Sequence, residues 1–181
     1  MPNNRQQQVI IFEGPDGCGK TNISAELSRR TGIPVFKNDG EWSHFGTGSA
    51  AEYFRLTAQY SYPFALSMIR QAKFSIIFDR GHPSEWAYSR AFGRERCDDL
   101  IAHGDELCAA LGAKIIIPLR SDYSKVIDEY GVTPGHLQKL DSLYREYASS
   151  VTKCQTLLLN VDDENLDREL DEIMNFLEVP Q

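Results

Sequence analysis

The stretch Val9-Ile-Ile-Phe-Glu-Gly-Pro-Asp-Gly-Cys-Gly-Lys-Thr21 limits what this chain can fold into more than any other. Val9 to Phe12 is a short apolar run, rich in β-branched residues, with the length of a buried strand. It stops at a glycine-rich segment that turns helical after Thr21. Gly14 to Thr21 fills G-x-x-x-x-G-K-[ST] at every fixed position, the pattern of a P-loop. Gly14, Gly17 and Gly19 free the backbone to point successive N–H groups into one concavity around an anion. Lys20 adds a point charge at the β- and γ-phosphates of a nucleotide, Thr21 offers a hydroxyl to Mg²⁺, and the helix that follows brings its positive end to the same place.

The rest of the chain alternates strand and helix patterns around that unit. Strands are expected at Ile33 to Phe36, Ser75 to Phe78, Lys114 to Leu119 and Thr156 to Asn160. Helices are expected from Thr21 to a stop at Gly32, from Ser49 to Lys73 with a kink or break at Pro63, and from about Asp98 to Leu111. A helix capped by Ser84 carries Trp86, Ala87 and Tyr88. A short one is capped by Asp122 and ends at Gly131, and a long one runs from Pro134 to about Ser150 after the N-cap Thr133. Asp163 opens the last, with Leu166, Leu170, Ile173 and Leu177 on one face. The aromatic residues Tyr53, Phe54, Tyr60, Tyr62 and Phe64 read as core, with base-stacking the alternative. This order implies an α/β sandwich of three layers around a five-stranded, mainly parallel sheet. In such a sheet ligands gather at the carboxyl ends of the strands, so Asp79-Arg80 shares an edge with the P-loop if their strands are neighbours.

At 181 residues the chain suits one domain over 1–181, with Met1 to Gln8 a polar tail expected to be frayed. A net charge of −7 gives no general field for nucleic acid or an acidic membrane, so an anion must be met locally. Cys18, Cys97, Cys108 and Cys154 form no C-x-x-C pair, which fits a reducing, cytoplasmic compartment. His44, His82, His103 and His136 show no metal-ligand spacing. No apolar run approaches membrane-spanning length.

Asp79-Arg80-Gly-His-Pro-Ser84-Glu-Trp-Ala87-Tyr88 resembles the thymidylate kinase motif D-R-aromatic-x-x-S-x-x-A-Y-Q, matching at Asp79, Arg80, Ser84, Ala87 and Tyr88 and departing at Gly81 and Ser89. Phe12 to Thr21, His136 to Ala148 and Asn160 to Asp163 are similar to further stretches of that family. The resemblance implies a P-loop kinase with strand order 2-3-1-4-5, using ATP and Mg²⁺. It implies nucleotide binding by Gly14, Asp16, Gly17, Cys18, Gly19, Lys20 and Thr21, and catalysis by Lys20, Asp79 and Arg80. Thr21 and Asp79 would lie at the metal, and Asp16, Arg80, Ser84 and Tyr88 at the acceptor: Asp16 at its sugar, Arg80 on its phosphate, Tyr88 against a ribose 2′-hydroxyl.

The chain also departs from the family. Lys37-Asn38-Asp39-Gly40 stands where members have R-E-P-G, Cys18 stands at the arginine position of the loop, and Ser121 to Gly135 holds Lys125 but no arginine. Arg94, Arg96 and Arg120 are candidates for the missing positive charge, and Gln59 for reading the base. The expected activity is transfer of the γ-phosphoryl of ATP to a deoxynucleoside monophosphate, a small-molecule acceptor. The alternative is a hydroxyl acceptor, on a deoxynucleoside or a hydroxymethylated pyrimidine in DNA, with Asp79 as general base; only that reading admits nucleic acid as a partner. A nucleotide switch is the third reading, which Asp128-Glu-Tyr-Gly131 supports only weakly. No membrane partner is expected, and a homodimer is left open.

Overall fold

The computed structural model describes residues 7–37, 62–127 and 131–178. Five strands form one sheet: β1 (Val9–Phe12), β2 (Val35–Lys37), β3 (Ile76–Asp79), β4 (Lys114–Leu119) and β5 (Gln155–Asn160). All the pairings are parallel and the order is 2-3-1-4-5. The helices among the described residues are α1 (Lys20–Thr31), α2 (Tyr62–Ala72), α3 (His82–Phe92), α4 (Asp98–Ala110), α5 (Pro134–Glu146) and α6 (Leu166–Leu177). β1 is central and buried on both faces, as a continuous apolar run should be. Its register sets Phe12 opposite Asp79, so the P-loop and the end of β3 leave the sheet side by side.

Several local expectations hold. Ile23 and Leu27 bury the inner face of α1, which ends at the left-handed Gly32. Thr133 caps α5, its hydroxyl accepting the His136 N–H at 3.3 Å. Leu170, Ile173 and Leu177 are fully buried along α6, whereas Leu166, expected on the same face, is exposed in its first turn.

Others are corrected by tertiary contacts. β2 begins at Val35 rather than Ile33, and β3 extends through Asp79, whose backbone is in register with Phe12 and Lys37. Ser84 does not cap α3; the helix begins earlier, after the extended Gly81, and the Ser84 hydroxyl is taken by Glu13. Residues 121–127 contain no helix, because Asp122 accepts the Ser124 N–H at 2.8 Å and closes a local turn. Asn165, not Asp163, caps α6, while Asp163 pairs with Arg168. The helix after Pro134 leaves α geometry at Tyr147 for one π turn, Tyr147–Val151. There the Tyr147 hydroxyl, the Thr152 hydroxyl and the Lys153 N–H all reach Asp105 of α4. Pro63 sits in the first turn of α2 and Phe64 is exposed, not core. Gln7 and Gln8 are tied down, by bonds from Gln7 Nε2 to Ile69 O and from the Gln8 N–H to Ser75 Oγ. Gln59, Ser49 and the aromatic residues 53, 54 and 60 lie outside the described residues.

Candidate active site

The site is assembled where β1 and β3 end. Gly14 leaves β1 with φ +129°, and a Cβ there would come within 2.8 Å of the Pro118 carbonyl oxygen. Only glycine lets the loop cross β4 this closely. Gly17 and Gly19 are also left-handed, so the loop curls before α1 opens at Lys20. The side chain of Lys20 is folded under the loop, its Nζ donating to Pro15 O at 2.6 Å and standing 3.7 Å from Asp16 Oδ1. Burial first, then the charge of Arg80, pulls its ammonium down to about 8. An anion in the loop opposes both effects.

Thr21 donates its hydroxyl to Asp79 Oδ2 at 3.3 Å. Asp79 is 4% exposed and aimed at the first turn of α1. Arg80, next along, is held at φ +72° by its N–H bond to Phe12 O. Its guanidinium pairs with Asp16, donates to Ser84 Oγ at 3.2 Å and lies 5.4 Å from the centre of the Tyr88 ring. The Tyr88 hydroxyl in turn donates to Asp16 Oδ2 at 2.6 Å. Burial works against ionisation of Asp16, but the charges of Arg80 and Lys20 outweigh it and hold the carboxyl below its ordinary range. Asp16, Lys20, Thr21, Asp79, Arg80, Ser84 and Tyr88 therefore meet in one constellation.

Cys18 is a different matter. It is fully buried, with Sγ 3.5 Å from the Tyr123 hydroxyl, so that only its backbone faces the loop. Of the three candidate arginines, Arg120 reaches the P-loop, donating from Nε to Gly17 O at 3.0 Å while pairing with Glu164. Arg94 turns instead to the buried Glu85 at 2.8 Å, and Arg96 is exposed.

Sequence reasoning passed over Glu13. It is fully buried between Phe12 and Gly14 and accepts from Gly81 N–H, Ser84 Oγ and the Tyr144 hydroxyl. Burial raises its carboxyl to about 7, against the charge of Arg80 and the bonds from Ser84 and Gly81. The available signal was a charged residue at the very end of a fully apolar central strand, where burial demands partners.

This arrangement defines a class of protein: an all-parallel 2-3-1-4-5 sheet with a P-loop on the central strand and an Asp-Arg pair at the end of its neighbour. No family model and no curated protein matches the sequence. Solved structures do match. The YorR protein of Bacillus subtilis, determined in complex with phosphorylated GDP, is similar over 95% of this chain and 96% of its own, with 22% identity and a TM-score of 0.64. Deoxyadenosine kinase of M. mycoides is similar over 96% and 100%, with 21% identity and a TM-score of 0.57. Thymidylate kinase of Ehrlichia chaffeensis covers the same shares with 15% identity and a TM-score of 0.65. The chain has the fold of the thymidylate and deoxynucleoside kinases.

Proposed function

We propose that this protein is a P-loop kinase, a single domain over the whole chain, that moves the γ-phosphoryl group of ATP to the phosphate of a deoxynucleoside monophosphate. The observation that carries this reading is the direction of Asp79. Its carboxylate is engaged with the Thr21 hydroxyl at 3.3 Å, while the neighbouring Arg80 presents a guanidinium among Asp16, Ser84 and Tyr88. A cation held beside the P-loop suits an acceptor that is itself an anion. A hydroxyl acceptor needs a free base at the same place, and the Asp79 carboxylate is instead engaged by the Thr21 hydroxyl.

The residues present suit magnesium. A hydroxyl and a carboxylate supply two hard oxygen donors, the partial shell that Mg²⁺ takes when phosphates and water complete it. When bound it would offset charge on the transferring group. The remaining work falls to the chain's own groups. The N–H groups of the glycine loop and α1 cradle the donor phosphates, and Lys20 neutralises charge that grows in the transition state. Arg80 orients the acceptor phosphate for in-line attack. That phosphate has a second pKa near 6, so its oxygen is largely deprotonated at neutral pH and no strong base is required. Arg120, against Gly17 O, is the cation nearest the role of the absent loop arginine. Tyr88 stands against the acceptor sugar. The four cysteines form no disulfide among the described residues, which supports a reducing, cytoplasmic setting.

An acceptor panel tests the proposal, with ATP consumption followed for deoxynucleoside monophosphates, free nucleosides and base-modified DNA. ATP loss that depends on a monophosphate is the expected result. Turnover only with nucleosides or DNA would overturn the acceptor, and slow hydrolysis indifferent to every acceptor would overturn the kinase.

A further inference from the structure

Glu13 leaves β1 directly and touches three elements at once. Its Oε1 accepts the Gly81 N–H at 2.5 Å; its Oε2 accepts the Ser84 hydroxyl at 2.6 Å and the Tyr144 hydroxyl at 3.2 Å. Gly81 is the residue after Arg80, and Ser84 receives the Arg80 guanidinium at 3.2 Å. One carboxylate thus fixes the backbone beyond Arg80 and also the side chain on which its guanidinium rests. Tyr144 belongs to α5, is fully buried, and stands 3.2 Å from the Ser84 hydroxyl as well.

Arg80 requires such a clamp. A non-glycine residue keeps φ near +72° only where its surroundings over-determine it. Here the Arg80 N–H is held by Phe12 O at 2.9 Å on one side, and the next N–H is held by Glu13 on the other. Packing alone does not account for a glutamate at this place. An apolar residue would close the end of a buried strand without the desolvation of a carboxylate, and all three bonds to Glu13 converge on the turn around Arg80 or on the helix behind it.

We propose that Glu13 is a positioning residue that holds Arg80 in its left-handed conformation and ties it, through Tyr144, to α5, so that Glu13 governs acceptor-phosphate binding without touching the acceptor. The kinetic consequence rests on the kinase reading above; the geometric one does not. Glutamine in place of Glu13 keeps the shape but carries no charge and only one acceptor oxygen; with that oxygen on the Gly81 N–H, the Ser84 and Tyr144 hydroxyls lose their acceptor and must turn to accept from the amide Nε2, on the same Ser84 oxygen that receives Arg80. The weakened clamp then lets Arg80 move.

The test uses the full chain, with nitrogen-15 NMR of the Arg80 side chain, assigned by loss of signal in Arg80→Lys, alongside steady-state kinetics on deoxynucleoside monophosphates. In the wild type the Arg80 Nη signals are expected to be separate and slowly exchanging; in Glu13→Gln they should average. The acceptor KM should rise about tenfold, on the scale of a lost charge-assisted bond, while the KM for ATP stays within about twofold. In an Arg80→Ala background, adding Glu13→Gln should raise the acceptor KM no further, because the route is already cut. Unchanged Arg80 signals, an ATP KM that rises in step, or additive effects in the double variant would each overturn the role. If Glu13→Gln does not fold, Tyr144→Phe removes one hydroxyl only and should perturb the same Arg80 signals; wild-type signals there would overturn the link to α5. Should the wild type phosphorylate no acceptor, the kinase reading fails on that control, and the NMR measurement still decides the role of Glu13.

Discussion

The hydroxyl of Thr21, in the first turn of α1, stands 3.3 Å from the carboxylate of Asp79, the last residue of β3. Fifty-eight positions separate them in the chain, and the parallel pairing of β1 with β3 brings them together. In the proposed kinase this contact would assign Asp79 to the metal and leave Arg80 for the acceptor.

That division of labour predicts how the two residues respond to substitution. Arg80→Ala leaves an anionic acceptor without its partner in a partly desolvated site, so acceptor binding and turnover together should fall by about 3 kcal/mol, the scale of lost charged contacts. Asp79→Asn should lower kcat through metal placement, with a flat pH dependence above pH 7. Measured pH–rate profiles on the best acceptor check both, and a residual Asp79→Asn rate climbing steeply with pH would assign Asp79 as a general base.

Lys20→Ala should preserve the fold while lowering kcat by about 10²- to 10³-fold, since the ammonium meets charge that develops at the transferring group. Circular dichroism and thermal melting establish folding, and single-turnover rates establish the loss. A folded variant with near-normal turnover would show that the loop does not bind the donor phosphates.

Tyr88 presents its hydroxyl to Asp16 at 2.6 Å and stacks on Phe92 with 5.8 Å between ring centres. Exchange for leucine removes the ring that would meet a 2′-hydroxyl, and the ratio of ribonucleotide to deoxyribonucleotide kcat/KM should rise about tenfold, the discrimination that a steric contact of this size supplies. Equal losses for both acceptors would identify Tyr88 as a packing residue.

A fourth prediction concerns stability and the buried group around Asp105. Burial pushes this carboxyl up, but hydrogen bonds from His82, Thr152 and Lys153 prevail and hold it down to about 2. Its folded pKa lies below the unfolded one, so its contribution is present above about pH 4 and is lost as pH falls from there to about 2; the full difference is about 2 kcal/mol. Glu13 is protonated throughout this window in the folded chain and mostly so in the unfolded one, where its ordinary pKa is 4.5, so it adds only a small opposite slope near pH 4. Denaturant unfolding of Asp105→Asn should therefore show a flatter decline between pH 4 and pH 2 than the wild type. Parallel curves would place the acid sensitivity elsewhere.

The legible parts of this site were those with short-range chemistry. Gly14, Gly17, Gly19, Lys20 and Thr21 act within one turn of chain, and Asp79-Arg80 ends an apolar run, so spacing alone marked them. Glu13 escaped because a single acid between a strand and a glycine has no local pattern; its meaning lies in Gly81, Ser84 and Tyr144, brought to it across the sheet. Arg94 and Arg120 looked alike in sequence, yet buried Glu85 claims the first and the P-loop backbone the second. Ser84 could cap a helix by its type, and the carboxylate of Glu13 took its hydroxyl instead.

By itself the sequence determined the α/β class, the central strand and its phosphate loop, and the identity of the groups able to meet an anion, because apolar periodicity and glycine conformation are properties of neighbouring residues. The tertiary structure alone decided that the Asp79 carboxylate meets the Thr21 hydroxyl, which arginine reaches the loop, and how Arg80 is held in a conformation its backbone disfavours. Those outcomes depend on parallel strand register and on competition among buried donors and acceptors for few partners, and both are settled only when distant segments pack.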